Sequence, residues 1–358
     1  MRLSVLDQST IAAGRSPDTS IRESLRLARA CETYGYHRFW VSEHHNNDAI
    51  AGSAPEVLLG ALAAVTTQIR IGSAGVLLPH YSPFKVAEQF RVLDALAPGR
   101  VDMGIGRGPG ADRQTAYALK PSLMDGLMSM ANGDTFASDL EDLITWSRGE
   151  ALPDDHPMAG VRAQPQSPTA PEPWLLGSSP QTAGLAGQMG LPYCFAHFFH
   201  DGEGCAEAVE TYRKNFSPNP FGSTPLVSLC VWAVAAPTRE KADQLFLPYA
   251  HWRLDRDRLV NSPFPSLAQI ATRQLPAQAQ TRIDRLRDVT IFGTADTVAQ
   301  KLHNLATTFA ADEIVVVTMA HDPADRLRSY ELIANEMNLA PVRDFNFGST
   351  EHRFAIVH

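Results

Sequence analysis

The 358-residue sequence predicts an α/β protein, and more narrowly a (β/α)8 barrel with an insertion after strand seven. Three observations carry that reading. Short apolar runs alternate with amphipathic stretches along nearly the whole chain, as parallel α/β folds require. Eight such runs can be counted, and no linker-like composition divides them, so residues 1–358 are expected to form a single domain. Hydrophobic residues make up 44%, charged residues 20% and aromatics 8%, a balance that supports a large core and excludes global disorder.

The elements follow in order. Leu3–Asp7 reads as the first strand, and Ser20 can cap a helix that runs to Tyr34 and stops at Gly35. Arg38–Ser42 is the second strand, ending in Glu43-His44-His45. Pro55 stands where proline favours a helix start, and that helix reaches Thr67. Ile69–Leu78 is strand three, Pro83–Leu96 its helix, and Arg100–Gly106 strand four. Residues 111–172 are less regular, with a helix at Ser138–Trp146 and a proline-rich excursion from Pro153 to Pro173. Trp174–Leu176 is strand five, followed by a helix from Pro180 to Met189. Pro192–His197 is strand six, with a helix over Ala206–Phe216. Leu226–Ala235 is strand seven, with a helix from Thr238. Glu313–Thr318 is strand eight, and Ala324–Met337 is the closing helix. The segment Phe246–Arg287 is the insertion. Long insertions of this kind serve as active-site lids, and its Tyr249, Trp252 and Phe264 could cover a flat hydrophobic substrate.

The formal net charge of −8 argues against a nucleic-acid or membrane-surface binder. No stretch approaches the ~18 uncharged apolar residues of a membrane span. The opening Met1–Asp7 meets an acid too early for a secretory leader, and Cys31, Cys194, Cys205 and Cys230 show no paired spacing. A cytoplasmic protein with reduced thiols is therefore expected.

Barrel enzymes place their chemistry at the C-terminal strand ends. Glu43-His44-His45-Asn46-Asn47 follows strand two. Strand three carries Gly72-Ser73-Ala74-Gly75 and leads to Pro79-His80-Tyr81-Ser82-Pro83. Gly106-Arg107-Gly108-Pro109-Gly110 follows strand four, and Gly177-Ser178-Ser179-Pro180-Gln181-Thr182 follows strand five. The last cluster puts small residues and hydroxyls at a helix N-terminus, where free N–H groups suit a phosphate. Arg107 offers a guanidinium to the same anion. The plain alternative is that Ser178 or Ser179 only caps the helix and that Arg107 pairs with a barrel carboxylate. Gly104 to Gly110 fails the G-x-G-x-x-G fingerprint, because Pro109 interrupts it, so no nicotinamide-binding domain is indicated.

His44 and His45 are adjacent on extended chain, so one can face the barrel mouth while the other packs or orients it. An imidazole there suits acid–base work. A structural hydrogen-bonded pair is the alternative. A metal site drawing on His80, His197 and His200 is the least favoured reading, because Asp7-Gln8-Ser9 lacks the H-x-H of barrel metallohydrolases. No metal is expected.

Together these motifs resemble the bacterial luciferase-like flavin-dependent monooxygenases. The resemblance rests on Tyr36–His45, on Ile71–Phe90 (IGSAGVLLPHYSPFKVAEQF) and on Pro98–Gly108. It implies reduced FMN reacting with O2 to a C4a-hydroperoxide that oxygenates a small organic substrate. It also implies a separate NAD(P)H-dependent flavin reductase. By motif, His44 is the catalytic acid/base, and Arg107, Gly177, Ser178 and Ser179 contact the phosphate. Ser73-Ala74-Gly75 matches the non-prolyl cis peptide beneath the isoalloxazine. The segment Pro109-Gly110-Ala111 departs from true luciferases, so luminescence is not implied. The expected substrate is small and hydrophobic or aromatic, the expected assembly a homodimer, and the Ala/Arg/Pro-rich composition fits natural-product tailoring. Two alternatives stand beside this reading: a deazaflavin-dependent oxidoreductase, and a non-catalytic flavin-binding homologue.

Overall fold

The computed structural model describes residues 1–108, 110–120, 135–220 and 222–340. The expectations that fall on Pro109 and on residues 341–358 lie outside the described residues. In chain order, β1 (Arg2–Asp7) is followed by α1 (Pro17–Tyr34), and β2 (Arg38–Val41) by α2 (Pro55–Val65). β3 (Arg70–Ser73) and the two-residue β4 (Val76–Leu77) precede α3 (Pro83–Leu96). β5 (Val101–Gly106) is followed by α4 (Arg113–Leu119) and α5 (Phe136–Ser147), β6 (Glu172–Gly177) by α6 (Pro180–Gln188), and β7 (Tyr193–Phe195) by α7 (Cys205–Asn215). After β8 (Val227–Ala235) come α8 (Arg239–Asp257), α9 (Leu267–Ala271), α10 (Ala277–Val289), β9 (Ile291–Gly293) and α11 (Ala295–Phe309). β10 (Glu313–Val317) and α12 (Pro323–Glu336) end the fold.

β1, β2, β3, β5, β6, β7, β8 and β10 pair in that order, all parallel, and β10 pairs with both β8 and β1. That closure is the (β/α)8 barrel. Side chains alternate between its two sides, as strand geometry dictates. On β8, Val227, Leu229, Val231, Ala233 and Ala235 belong to the core beneath the outer helices. Cys230, Trp232 and Val234 belong to the inner cluster.

The barrel interior also holds charge. Arg38 meets Asp102 at 2.8 Å and Glu313 at 3.1 Å, with all three side chains buried. Trp40 Nε1 donates to Asp102 at 2.9 Å, and the Ser4 hydroxyl donates to Glu313. Every charge in this layer has an oppositely charged partner, which is the condition under which buried ions are tolerated.

Two elements differ from the sequence reading, for identifiable reasons. α1 begins at Pro17 rather than at a Ser20 cap, because proline's fixed φ and missing N–H suit the first helical position. The helix from Arg239 runs through Phe246 and Pro248 to Asp257, so the expected insertion begins inside it. Its Phe246, Tyr249, Ala250 and Trp252 join the inner cluster rather than the outer shell. The helix that packs the barrel wall between β8 and β10 is α11, through Val298, Leu302 and Ala306. Polar Gln, Lys, His, Asn and Thr on its outer face mask its apolar stripe in the sequence.

Among the described residues no helix is long and apolar enough to cross a membrane. All four cysteines are free and buried, and burial pushes the Cys194 and Cys205 thiols up to about 12.

Candidate functional site

A cavity of about 630 Å³ opens at the C-terminal strand ends. That volume lies within the roughly 300–1,000 Å³ typical of small-molecule and cofactor sites. His44, Ala74, Gly75, Arg107, Gly177, Ser178 and Ser179 all contribute to its wall, although they come from four different strand ends. Ser73 does not. It is fully buried behind the wall, its hydroxyl donating to Gly104 O at 2.8 Å.

The seat at Ala74–Gly75 arises from a register change. Gly72 pairs with Asp102 on β5, and Val76 pairs with Ile105, so the β3–β4 side advances four residues while β5 advances three. The extra residue is extruded as a bulge. The Ala74–Gly75 peptide bond is cis, as the resemblance implies for this stretch. The two backbones approach closely here: a Cβ on Gly104 would stand 2.0 Å from Ser73 O. Only glycine fits that position.

His44 lies just past β2. Its backbone N–H donates to Gly52 O at 2.8 Å, and its Nδ1 stands 3.1 Å from the Ser42 hydroxyl. Burial, reinforced by the neighbouring His45, lowers its pKa to about 4. The ring is therefore neutral at physiological pH. His45 turns away: its Nε2 lies 2.7 Å from Glu43 Oε1, the same oxygen that accepts from Tyr81 Oη at 2.6 Å. Glu43 Oε2 accepts from Leu77 N–H at 3.0 Å. Glu43 thus ties β2 to β4 across the site. The loop is held from a second side by Asn46, which donates to Asp112 Oδ2 at 3.1 Å, while Asp112 caps α4 through Thr115 N–H.

Arg107 is exposed at the rim, its guanidinium carbon 5.9 Å from the centre of the Phe136 ring. Across the cavity, Ser179 Oγ accepts from Thr182 N–H at 3.3 Å as the N-cap of α6. The capping reading and the binding reading therefore coexist. Ser179 completes the helix, while Ser178 and the positive helix end face the same space as Arg107.

Sequence reasoning missed several wall residues: Gln8, Trp40, Ser42, Cys194, Phe198, Phe199 and Cys230; His200, raised only as a candidate metal ligand, also lines the wall. A signal existed for Gln8, since Leu6 and Gln8 are two apart at a strand end and share the inward face. None existed for Phe198 and Phe199, whose position depends on distant arginines. Phe198 and Phe199 stack with centroids 4.7 Å apart. Arg256 donates to Phe199 O at 2.7 Å, and Arg253 pairs with Asp201 at 2.8 Å. Residues 246–287 supply none of the cavity wall; they brace the loop that does. Among the described residues no three His, Cys, Asp or Glu side chains converge as a metal-ligating group.

Comparison with known proteins adds three findings. Residues 1–312 match the profile of the family described as luciferase-like monooxygenase. The N-acetyl-S-alkylcysteine monooxygenase of Bacillus subtilis (strain 168) is 36% identical over 338 residues, 94% of this chain and 98% of that protein. Two solved structures share the fold. Apo-MsnO8 superposes with a TM-score of 0.84 at 34% identity, covering 95% of this chain and 99% of that one. The oxygenating constituent of 3,6-diketocamphane monooxygenase from Pseudomonas putida, solved in complex with FMN, gives a TM-score of 0.68 at 22% identity, covering 94% and 97%.

Proposed function

The chain belongs to the luciferase-like monooxygenase family, and from that premise we propose that it is an FMN-dependent monooxygenase acting on a small organic substrate. Reduced FMN comes from a separate NAD(P)H-dependent flavin reductase. A cytoplasmic homodimer serving natural-product tailoring is part of the same reading. The observation that carries it is convergence: His44, the cis Ala74–Gly75 seat, Arg107 and the α6 N-terminus share one cavity.

The residues present fit FMN. Gly108 leaves open space where a Cβ would stand, Arg107 and Ser178 can take a phosphate, and the bulged Ala74–Gly75 wall offers a surface for a flat ring. When bound and reduced, FMN supplies the two electrons that let one atom of O2 pass to substrate and the other to water. The protein's part is positioning and proton control. His44 Nδ1 is engaged by the Ser42 hydroxyl at 3.1 Å, and the ring lines the cavity wall; in the tautomer in which that hydroxyl donates, the ring proton sits on Nε2. An anion placed beside it raises its proton affinity. The segment Phe246–Arg287 closes the site by bracing the Phe198–Phe199 wall against water.

The test is oxygen uptake with FMN, NADH and a flavin reductase, set against hydride transfer from reduced deazaflavin. Oxygen uptake coupled to an oxygenated product supports the proposal. Turnover with the deazaflavin alone, or none with either, overturns it.

A further inference from the structure

The motif Pro79-His80-Tyr81-Ser82-Pro83 has no part in the cavity wall, and neither does His45. Tyr81 and His45 converge instead on Glu43, the residue that precedes His44. The Glu43 side chain has no exposed surface. An ionised carboxylate offers only acceptors, so each of its hydrogen-bond partners is a donor. Tyr81 Oη reaches Oε1 at 2.6 Å, and His45 Nε2 reaches the same oxygen at 2.7 Å. Leu77 N–H reaches Oε2 at 3.0 Å. Burial, and then Glu43 itself, push the Tyr81 phenol up, so it keeps the proton it donates.

The donors are themselves fixed. Tyr81 N–H donates to Leu78 O at 3.0 Å, closing the turn between β4 and α3. Lys120, just past α4, donates from Nζ to Pro79 O at 3.2 Å and to Tyr81 O at 3.4 Å. The His80 ring stands edge-on to the His45 and Tyr81 rings, with centroids 6.2 and 6.4 Å away. Leu77 N–H alone would tie the end of β2 to β4; the side-chain donors fix where the carboxylate sits. That placement matters to both chains it joins. One carries His44 as its next residue, and the other reaches Leu77 directly from the bulged Ala74–Gly75 wall. Support of this kind holds reacting groups in register, and about 1 Å of misplacement can cost on the order of 10²-fold in rate.

Resting on the FMN reading above, we infer that Tyr81 is a positioning residue: through Glu43 it holds His44 and the Ala74–Gly75 wall in one fixed relation. His45 shares that role. Both act on the carboxylate, which passes the constraint to the two chains.

The experiment compares wild type, Tyr81→Phe, Glu43→Gln and the double variant by two spectra. Nuclear magnetic resonance of protein with isotope-labelled histidine reports the His44 ring without FMN, its signals identified by their loss in His44→Gln. Visible circular dichroism of bound oxidised FMN reports the Ala74–Gly75 wall. Tyr81→Phe is expected to shift the His44 signals and weaken the flavin band. FMN affinity should stay within about threefold of wild type, because Arg107 and Ser178 are untouched. Gln offers one acceptor oxygen in place of two, so Glu43→Gln should change both spectra further. The double variant should match Glu43→Gln, because residues acting through one group are not additive. A lower thermal midpoint with both spectra unmoved makes Glu43 a structural staple and overturns the inference. Additive changes in the double variant overturn it too, since Tyr81 would then act by another route. Should Glu43→Gln fail to fold, Tyr81→Phe keeps the other two donors and decides by its own spectra. Failure of the wild type to bind FMN defeats the functional reading instead, and the His44 signals still decide whether Tyr81 positions the imidazole.

Discussion

His44 is held by a backbone hydrogen bond to Gly52 O and a side-chain contact to Ser42, and its proton affinity is depressed by burial. A ring so fixed exchanges a proton only with what enters the cavity. His44→Ala should slow oxygenation by roughly 10²–10⁴-fold, the scale of a lost acid or base, and leave FMN affinity nearly unchanged. Near-wild-type turnover in that variant would reduce His44 to a packing residue. Arg107 makes a different prediction because it is exposed at the rim. A charge-assisted hydrogen bond is worth about 1.5–3 kcal/mol, so Arg107→Ala should weaken FMN binding about 10–100-fold. The loss should shrink as salt is raised, since a rim charge is screened. The placement of both residues at the cavity was legible from motif and strand-end position alone. Ser42, which orients His44, was not: a serine at a strand end carries no mark until the imidazole is seen beside it.

At the scale of elements, α8 and α10 act through the loop they hold. Arg253 and Arg282 both pair with Asp201, at 2.8 and 3.0 Å, and Arg256 reaches Phe199 O. Asp201→Ala removes the shared carboxylate and frees the Phe198–Phe199 wall. The expected result is more hydrogen peroxide released per product formed, with FMN binding retained, measured by peroxide assay beside product yield. Unchanged coupling would mean that the wall does not exclude water. The sequence exposes the strands well, because eight apolar runs alternating with amphipathic stretches leave few other arrangements. It exposes the region after β8 poorly. α8 buries Tyr249 against Trp232, with rings 3.8 Å apart, so its aromatics read as an exposed cover when they are core. β9 is three residues long, too short to announce itself by periodicity.

For the whole molecule, the barrel's buried charges and histidines decide how stability responds to mutation and pH. Arg38→Met leaves buried Glu313 without its cation, while Asp102 keeps Arg70, and should destabilise the fold by about 3–5 kcal/mol, read as a shift in denaturant midpoint. Burial lowers the pKa of His37 and His44 to about 4, and it also lowers those of His197 and His251. An unfolded histidine titrates near 6.5, so between about pH 6.5 and 4 the unfolded chain binds protons that the folded chain refuses. Stability is therefore full above about pH 6.5 and falls as pH drops toward 4. Thermal midpoints measured from pH 7.5 to 4.5 should show the decline beginning near 6.5; a flat profile down to pH 5 would contradict it. The charged layer was hidden in the sequence because Arg38, Asp102 and Glu313 lie in three separate strands that only barrel closure brings together. If one cavity joins the His44, Ala74–Gly75, Arg107 and Ser178 clusters into a flavin seat, anaerobic titration with reduced FMN will show it. A single saturable site in the wild type, weakened about 10–100-fold by Arg107→Ala, is the predicted result; no saturable binding, or equal affinity in the two proteins, would contradict it.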